Sequence, residues 1–102
     1  MKVIVELSII PMGGGTSVSK IIAHVIKSLE ETGVKYEVTP MCTVFEADSV
    51  EEALRIVRVA HDAVFRQGVK RAITLVKIDD RRDVERKMED KVASLRRAVS
   101  SL

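Results

Sequence analysis

The apolar residues of this chain change period along its length, and the order of those changes narrows the fold to very few architectures. Residues 3–10, VIVELSII, place Val3, Val5, Leu7 and Ile9 on one side and Glu6 and Ser8 on the other, the alternation of a half-buried strand. From 17 to 32 the period becomes helical, with Val18, Ile21, Ile22, Val25, Ile26 and Leu29 along one face. A hydroxyl from Thr16, Ser17 or Ser19 can cap its start, and Gly33 suits its end. VKYEVT (34–39) and MCTVFE (41–46) read as two strands broken by Pro40. Ser49 with Glu52 three residues on is a capping-box pattern. The helix it opens carries Val50, Ala53, Leu54, Val57, Ala60 and Val64 on its apolar face and ends at Gly68. VKRAITLVKI (69–78) is a fourth strand. A charge-rich last helix runs from Arg82 to about Ser100, with a narrow stripe of Val84, Met88, Val92, Leu95 and Val99.

This order predicts an α+β fold: a ferredoxin-like βαββαβ antiparallel sheet with two helices on one face and an added C-terminal helix. The other sheet face is left open. That face and the near-heptad stripe of the last helix both need cover, which argues for an oligomer; the alternative is a last helix folded back over its own sheet.

A length of 102 residues predicts a single domain, 1–102, with enough surface to bury one core. Apolar residues at 46% and charged residues at 31% place it among globular chains. A net charge of +2 gives no strong field for nucleic acid or an anionic membrane. No apolar run approaches the roughly 20 residues of a membrane span, and Glu6 interrupts the first apolar stretch, which is a strand and not a leader. The one cysteine, Cys42, forms no internal disulfide and no cysteine-built zinc site, in keeping with a reducing cytoplasm.

Most catalytic readings fail on particular residues. PMGGGTSVSK (11–20) has three glycines before a helix, but a Walker loop needs glycine directly before the lysine, and Val18 precedes Ser19 and Lys20 here. A dinucleotide loop needs a third glycine where Val18 stands. A surface connection, or at most a small-anion site at the helix start, remains. His61 lies on or beside the buried stripe and His24 off it, and neither has a carboxylate or histidine at i+4 to complete a metal face. Structural roles are expected for both, and Cys42 is expected as a small buried strand residue. No acid–base or nucleophile–base pair is visible, so no catalytic residue, metal or cofactor is expected. Three aromatics, Tyr36, Phe45 and Phe65, are too few for a base-stacking RNA module. VKIDDRRD (76–83) reads either as a strand end and helix cap with exposed ion pairs or as an intersubunit network. In PMCTVFEAD (40–48), Thr43 and Glu46 face opposite ways on a regular strand, and only a break or bulge would unite them. Glu46 is either exposed at a rim or paired with a ligand.

LSIIP (7–11), TSVS (16–19), VKYEVTPMCTVFEAD (34–48) and VKIDDRRD (76–83) occur together in the order and spacing of one family. Over essentially its full length the chain resembles the small ferredoxin-like thiamine-binding proteins, the YkoF-like group. The resemblance implies homodimers or homotetramers that bind thiamine or its hydroxymethylpyrimidine half near the sheet and a subunit interface, without established catalysis. Carried onto this chain, the family pattern falls on Thr43 and Glu46 and on the hydroxyls Thr16, Ser17 and Ser19. Ser8 would help orient the ligand, and Phe45 or Tyr36 would offer a ring to the thiazolium. Glu46 would pair with the aminopyrimidine, so Glu46→Ala is expected to abolish ligand stabilisation. Cys42 stands where the family commonly has glycine, which narrows the expected pocket. The expectation is a cytoplasmic, non-catalytic small-molecule binding protein; the alternative is a regulatory or scaffolding module without a small-molecule ligand.

Overall fold

A computed structural model describes residues 2–13 and 17–102. The elements follow the expected order: β1 (Val3–Met12), α1 (Val18–Thr32), β2 (Tyr36–Val38), β3 (Thr43–Ala47), α2 (Val50–Phe65), β4 (Arg71–Asp79) and α3 (Met88–Ser100). The strands form one antiparallel sheet in the order β2-β3-β1-β4. This is the ferredoxin-like arrangement, with α1 and α2 on one face and α3 added at the end.

Alternation along β1 divides the sheet. Val3, Val5, Leu7 and Ile9 face the helices and are buried, joined by Phe45 and Ala47 of β3. Ile21, Val25 and Leu29 of α1 and Ala53, Ile56, Ala60 and Val64 of α2 close the core from above. Burying each of these aliphatic side chains contributes on the order of 1.5–3 kcal/mol. Leu54, expected on the buried face of α2, is instead exposed, and Ile56 takes its place. The buried steps run 53, 56, 60, 63–64, and residue 54 falls outside that stripe.

The helix ends follow local chemistry. Gly33 takes a left-handed φ of 79° and its N–H donates to the Glu30 carbonyl at 3.0 Å. The Ser49 hydroxyl accepts from the Glu52 N–H at 3.1 Å, while the Glu52 carboxylate turns to Arg55. His61 is structural: its Nδ1 lies 2.6 Å from the Thr74 hydroxyl, and its ring packs 5.1 Å from that of Phe65. His24 is exposed.

Several boundaries differ from expectation: β1 runs on to Met12 and β4 begins only at Arg71. The two middle strands are shorter, at 36–38 and 43–47, because residues 39–42 are drawn into a turn; Cys42 is therefore a half-buried turn residue, not a strand residue. The last helix starts at Met88, not Arg82, so Val84 lies outside it. Asp80 and Asp83 do not cap it; they pair with Arg82 and Arg81, each at 2.8 Å, and hold the preceding segment irregular. The cap comes from Asp90, whose carboxylate accepts the Lys87 N–H at 2.9 Å.

α3 meets the body at its first turns only. Met88 is buried, and Lys91 pairs with Asp79. Leu95 and Val99 are 65% and 59% exposed. The radius of gyration is 15.2 Å and the longest extent 48 Å, against about 13 Å expected for a compact chain of this length. Beyond its first turns the last helix thus stands away from its own sheet. Among the described residues no helix is long and apolar enough to cross a membrane.

Candidate functional site

A candidate cavity arises because β1 outruns its partner. β1 pairs with β3 no further than Leu7↔Thr43, but continues along β4 as far as Met12↔Arg71. A notch opens where β3 ends. The first turns of α1 roof it with Val18, Ile22 and Val25, and the β2–β3 turn closes its outer side. The cleft measures about 280 Å³.

Its outer wall is held by Thr39. The Thr39 N–H donates to the Cys42 carbonyl at 2.8 Å, and its hydroxyl donates to the same carbonyl at 2.9 Å. That hydroxyl also accepts the Cys42 N–H at 3.1 Å and the Met41 N–H at 3.3 Å. One threonine therefore replaces the ladder bonds that the turn forfeits. The result is a fixed turn that carries Met41, 85% exposed, at the lip and Cys42 in the wall.

Thr43 is the informative residue of the cleft. It is 9% exposed and lies on the helix-facing side of the sheet, opposite Leu7. Among the described residues its hydroxyl has no hydrogen-bond partner, and no fully enclosed side-chain oxygen is left unpaired. The hydroxyl therefore opens to the cleft. A hydroxyl that opens into a largely apolar cleft offers a ligand one oriented hydrogen bond, worth about 0.5–1.5 kcal/mol net.

The expected site residues separate into groups. Ser8 borders the cleft, but the alternation of β1 turns its side chain toward the open face with Glu6. Ser17 and Ser19 are exposed beside Val18, their hydroxyls 2.8 Å apart; Ser17 holds the cap position of α1 without a side-chain cap bond. Thr16 lies outside the described residues. Phe45 must be corrected: it is 0% exposed, inside the core opposite Val5, and gives no ring face to a cation. Its place at the centre of the helix-facing surface makes it a packing residue. Tyr36 donates its hydroxyl to Glu30 at 2.9 Å and does not line the cleft.

Glu46 also lies elsewhere. The β3 register is unbroken, so Glu46 and Thr43 face opposite sides of the sheet. Glu46 is buried at 6%, under the start of α3, where Oε1 accepts the Met88 N–H at 2.7 Å. Lys35 Nζ stands 3.9 Å away. A carboxylate at a helix N-terminus bonds an otherwise orphan donor and complements the helix dipole. The structure thus gives Glu46 a helix-anchoring contact and does not bring it to the cleft.

A hollow of about 440 Å³ beside Glu46 is larger than the cleft. Most of its charges are already paired: Lys2 with Asp48 across the hollow at 3.1 Å, and Glu52 and Lys35 with Arg55 and Glu89 outside its lining. The Glu89 hydrogen bond holds the Lys35 ammonium above its ordinary pKa, and the same contact holds the Glu89 carboxyl below its own. A ligand there would have to break ion pairs, whereas one in the cleft would satisfy an unmet hydroxyl and cover apolar wall. Of these two cavities the cleft is the better candidate site. Among the described residues no group of three or more His, Cys, Asp or Glu is gathered for a metal.

The cleft-lining residues Val18, Ile22, Val38, Thr39 and Met41 were not among the expected ligand contacts. Val18, Val38 and Met41 are apolar yet exposed, a signal that only tertiary placement makes readable.

Comparison with known proteins agrees with this fold. Residues 5–96 match the family model of thiamine-binding proteins. A UPF0045 protein of Methanothermobacter thermautotrophicus is 40% identical over 95 residues, covering 92% of this chain and 96% of the relative. Among solved structures, a hypothetical protein of Methanocaldococcus jannaschii superposes with a TM-score of 0.83 at 38% identity, covering 92% of this chain and 95% of the other. A Thermotoga maritima protein assigned provisionally to thiamine biosynthesis or salvage superposes with a TM-score of 0.78 at 26% identity, covering 93% and 99%.

Proposed function

This chain belongs to the thiamine-binding protein family, and from that premise we propose that it binds thiamine or its hydroxymethylpyrimidine moiety, without catalysis, in the cleft between α1 and the β2–β3 turn. It acts as a cytoplasmic single-domain protein, and its place within the family is the YkoF-like group. The observation that carries the reading is Thr43, a residue nine-tenths buried whose hydroxyl has no partner among the described residues in a largely apolar wall. An aminopyrimidine offers a flat apolar face to Ile22, Val38 and Met41. Its ring nitrogens and amine offer Thr43 both an acceptor and a donor. Beyond the last β3 pair, the β1 backbone from Ser8 adds main-chain polar groups at the same notch. The charged thiazolium lies toward the mouth, in water beside Ser17 and Ser19. No carboxylate lines this cleft, so recognition rests on shape and hydroxyl hydrogen bonds, and affinity is modest.

The protein works as a homodimer or homotetramer. The support is the uncovered stripe Val92, Leu95 and Val99 together with Ile10, Ile73 and Leu75 on the open sheet face. The same exposed stripe favours a second reading, a scaffolding module whose partner is another protein. Thermal unfolding with thiamine, thiamine phosphate and hydroxymethylpyrimidine separates the two. A ligand at 100 times its Kd adds about 2.7 kcal/mol and raises Tm by several degrees. A rise with thiamine or the pyrimidine supports the binding role; no rise with any of the three, at millimolar concentration, rejects it in favour of the scaffold.

A further inference from the structure

We propose that Cys42 is a modification site that gates the cleft: a mixed disulfide formed there with a small thiol takes the space the ligand needs. The inference rests on the cleft being the ligand site. Cys42 is the only cysteine of the chain, and the Thr39-braced turn delivers it to the cleft wall. It is half-buried, with Sγ 3.4 Å from the Thr39 hydroxyl. The wall that it shares holds Thr43, a residue nine-tenths buried whose hydroxyl opens to the cleft with no partner among the described residues, an independent mark of a ligand position. Val18 and Val38, 56% and 57% exposed at the two lips, leave a way in for a small reagent.

Size decides the consequence. At about 280 Å³ the cleft falls just below the range of roughly 300–1,000 Å³ for small-molecule sites. An adduct on Cys42 and a bound pyrimidine compete for the same volume. The chemistry is a balanced exchange. The Cys42 thiolate attacks one sulfur of a low-molecular-weight disulfide RS–SR, and a Cys42–S–S–R bond forms as the original S–S bond breaks. The departing RS⁻ takes up the proton that Cys42 released. Free thiol reverses each step. Occupancy of the cleft thereby becomes sensitive to the small-thiol redox poise.

The experiment follows reaction of the full chain with 5,5′-dithiobis(2-nitrobenzoate) and with methyl methanethiosulfonate. Val18→Trp, which fills one lip, is expected to slow the reaction at least tenfold; Val38→Trp on the other lip is the second variant if the first does not fold. An unchanged rate in a folded lip variant places the thiol outside the cleft and overturns the proposal. Methylthiolated protein is expected to bind thiamine or hydroxymethylpyrimidine at least tenfold more weakly, with full recovery after dithiothreitol. Cys42→Ser given the same treatment is expected to bind as before. Undiminished binding by the modified protein overturns the gating. If the unmodified chain binds neither compound, the vitamin reading falls, and the lip variants alone decide whether Cys42 lies in the cleft.

Discussion

Thr43 and Glu46 are three positions apart and do different work, because a strand without a bulge sends them to opposite faces. Thr43→Val keeps the shape and removes the hydroxyl. The expected result is a loss of about 0.5–1.5 kcal/mol in ligand binding, up to roughly tenfold in Kd, with Tm of the free protein unchanged or slightly raised. Titration calorimetry checks this, and equal affinity would remove Thr43 from the site. Glu46→Ala acts on the helix: it leaves the Met88 N–H without its partner and costs about 1–3 kcal/mol. Amide exchange in the first turn of α3 should quicken while ligand affinity holds. Lost affinity with protected α3 amides would return Glu46 to the ligand.

At the scale of elements, α3 is held by the buried Met88 side chain and a few polar contacts: Glu46 to Met88, Lys35 to Glu89 and Asp79 to Lys91. The hydrogen bond from Lys91 holds the Asp79 carboxyl below its ordinary pKa, as Lys35 does for Glu89. A carboxyl with a depressed folded-state pKa adds stability above its unfolded pKa and loses it as pH falls through the folded value. Both pairs are exposed, so solvent screening keeps their worth small. The expected outcome is order, not magnitude: below about pH 4, where ordinary carboxylates protonate, α3 loosens before the sheet and its two packed helices unfold. Exchange measured between pH 7 and 3 should show α3 amides losing protection first, and simultaneous loss would make α3 part of the core unit.

The whole molecule leaves apolar surface on two sides of one gap. The α3 stripe and the open sheet face cannot satisfy each other within the chain, since the helix is pinned at its start and leaves the sheet beyond Val92. Light scattering at micromolar concentration is expected to give a dimer or tetramer mass. Leu95→Asp combined with Val99→Asp should reduce it to the monomer with the sheet core intact. A monomer mass in the unmodified chain would leave the stripe to a different protein.

Element order, the sheet with one covered and one open face, and the caps at Gly33 and Ser49 were legible residue by residue, because each depends on neighbours within a turn or an alternation. The family resemblance was legible too, since it lies in short motifs in fixed order. The cleft was not. It exists because β1 outruns β3 and because Thr39 folds residues 39–42 into a turn, and strand lengths are settled by pairing rather than by propensity. Nor could local pattern say that Phe45 would be sealed in the core, or that Glu46 would meet a backbone N–H 42 residues away. Periodicity assigns a face to each side chain; only packing at long range decides whether that face meets a core, a cavity or the end of another helix.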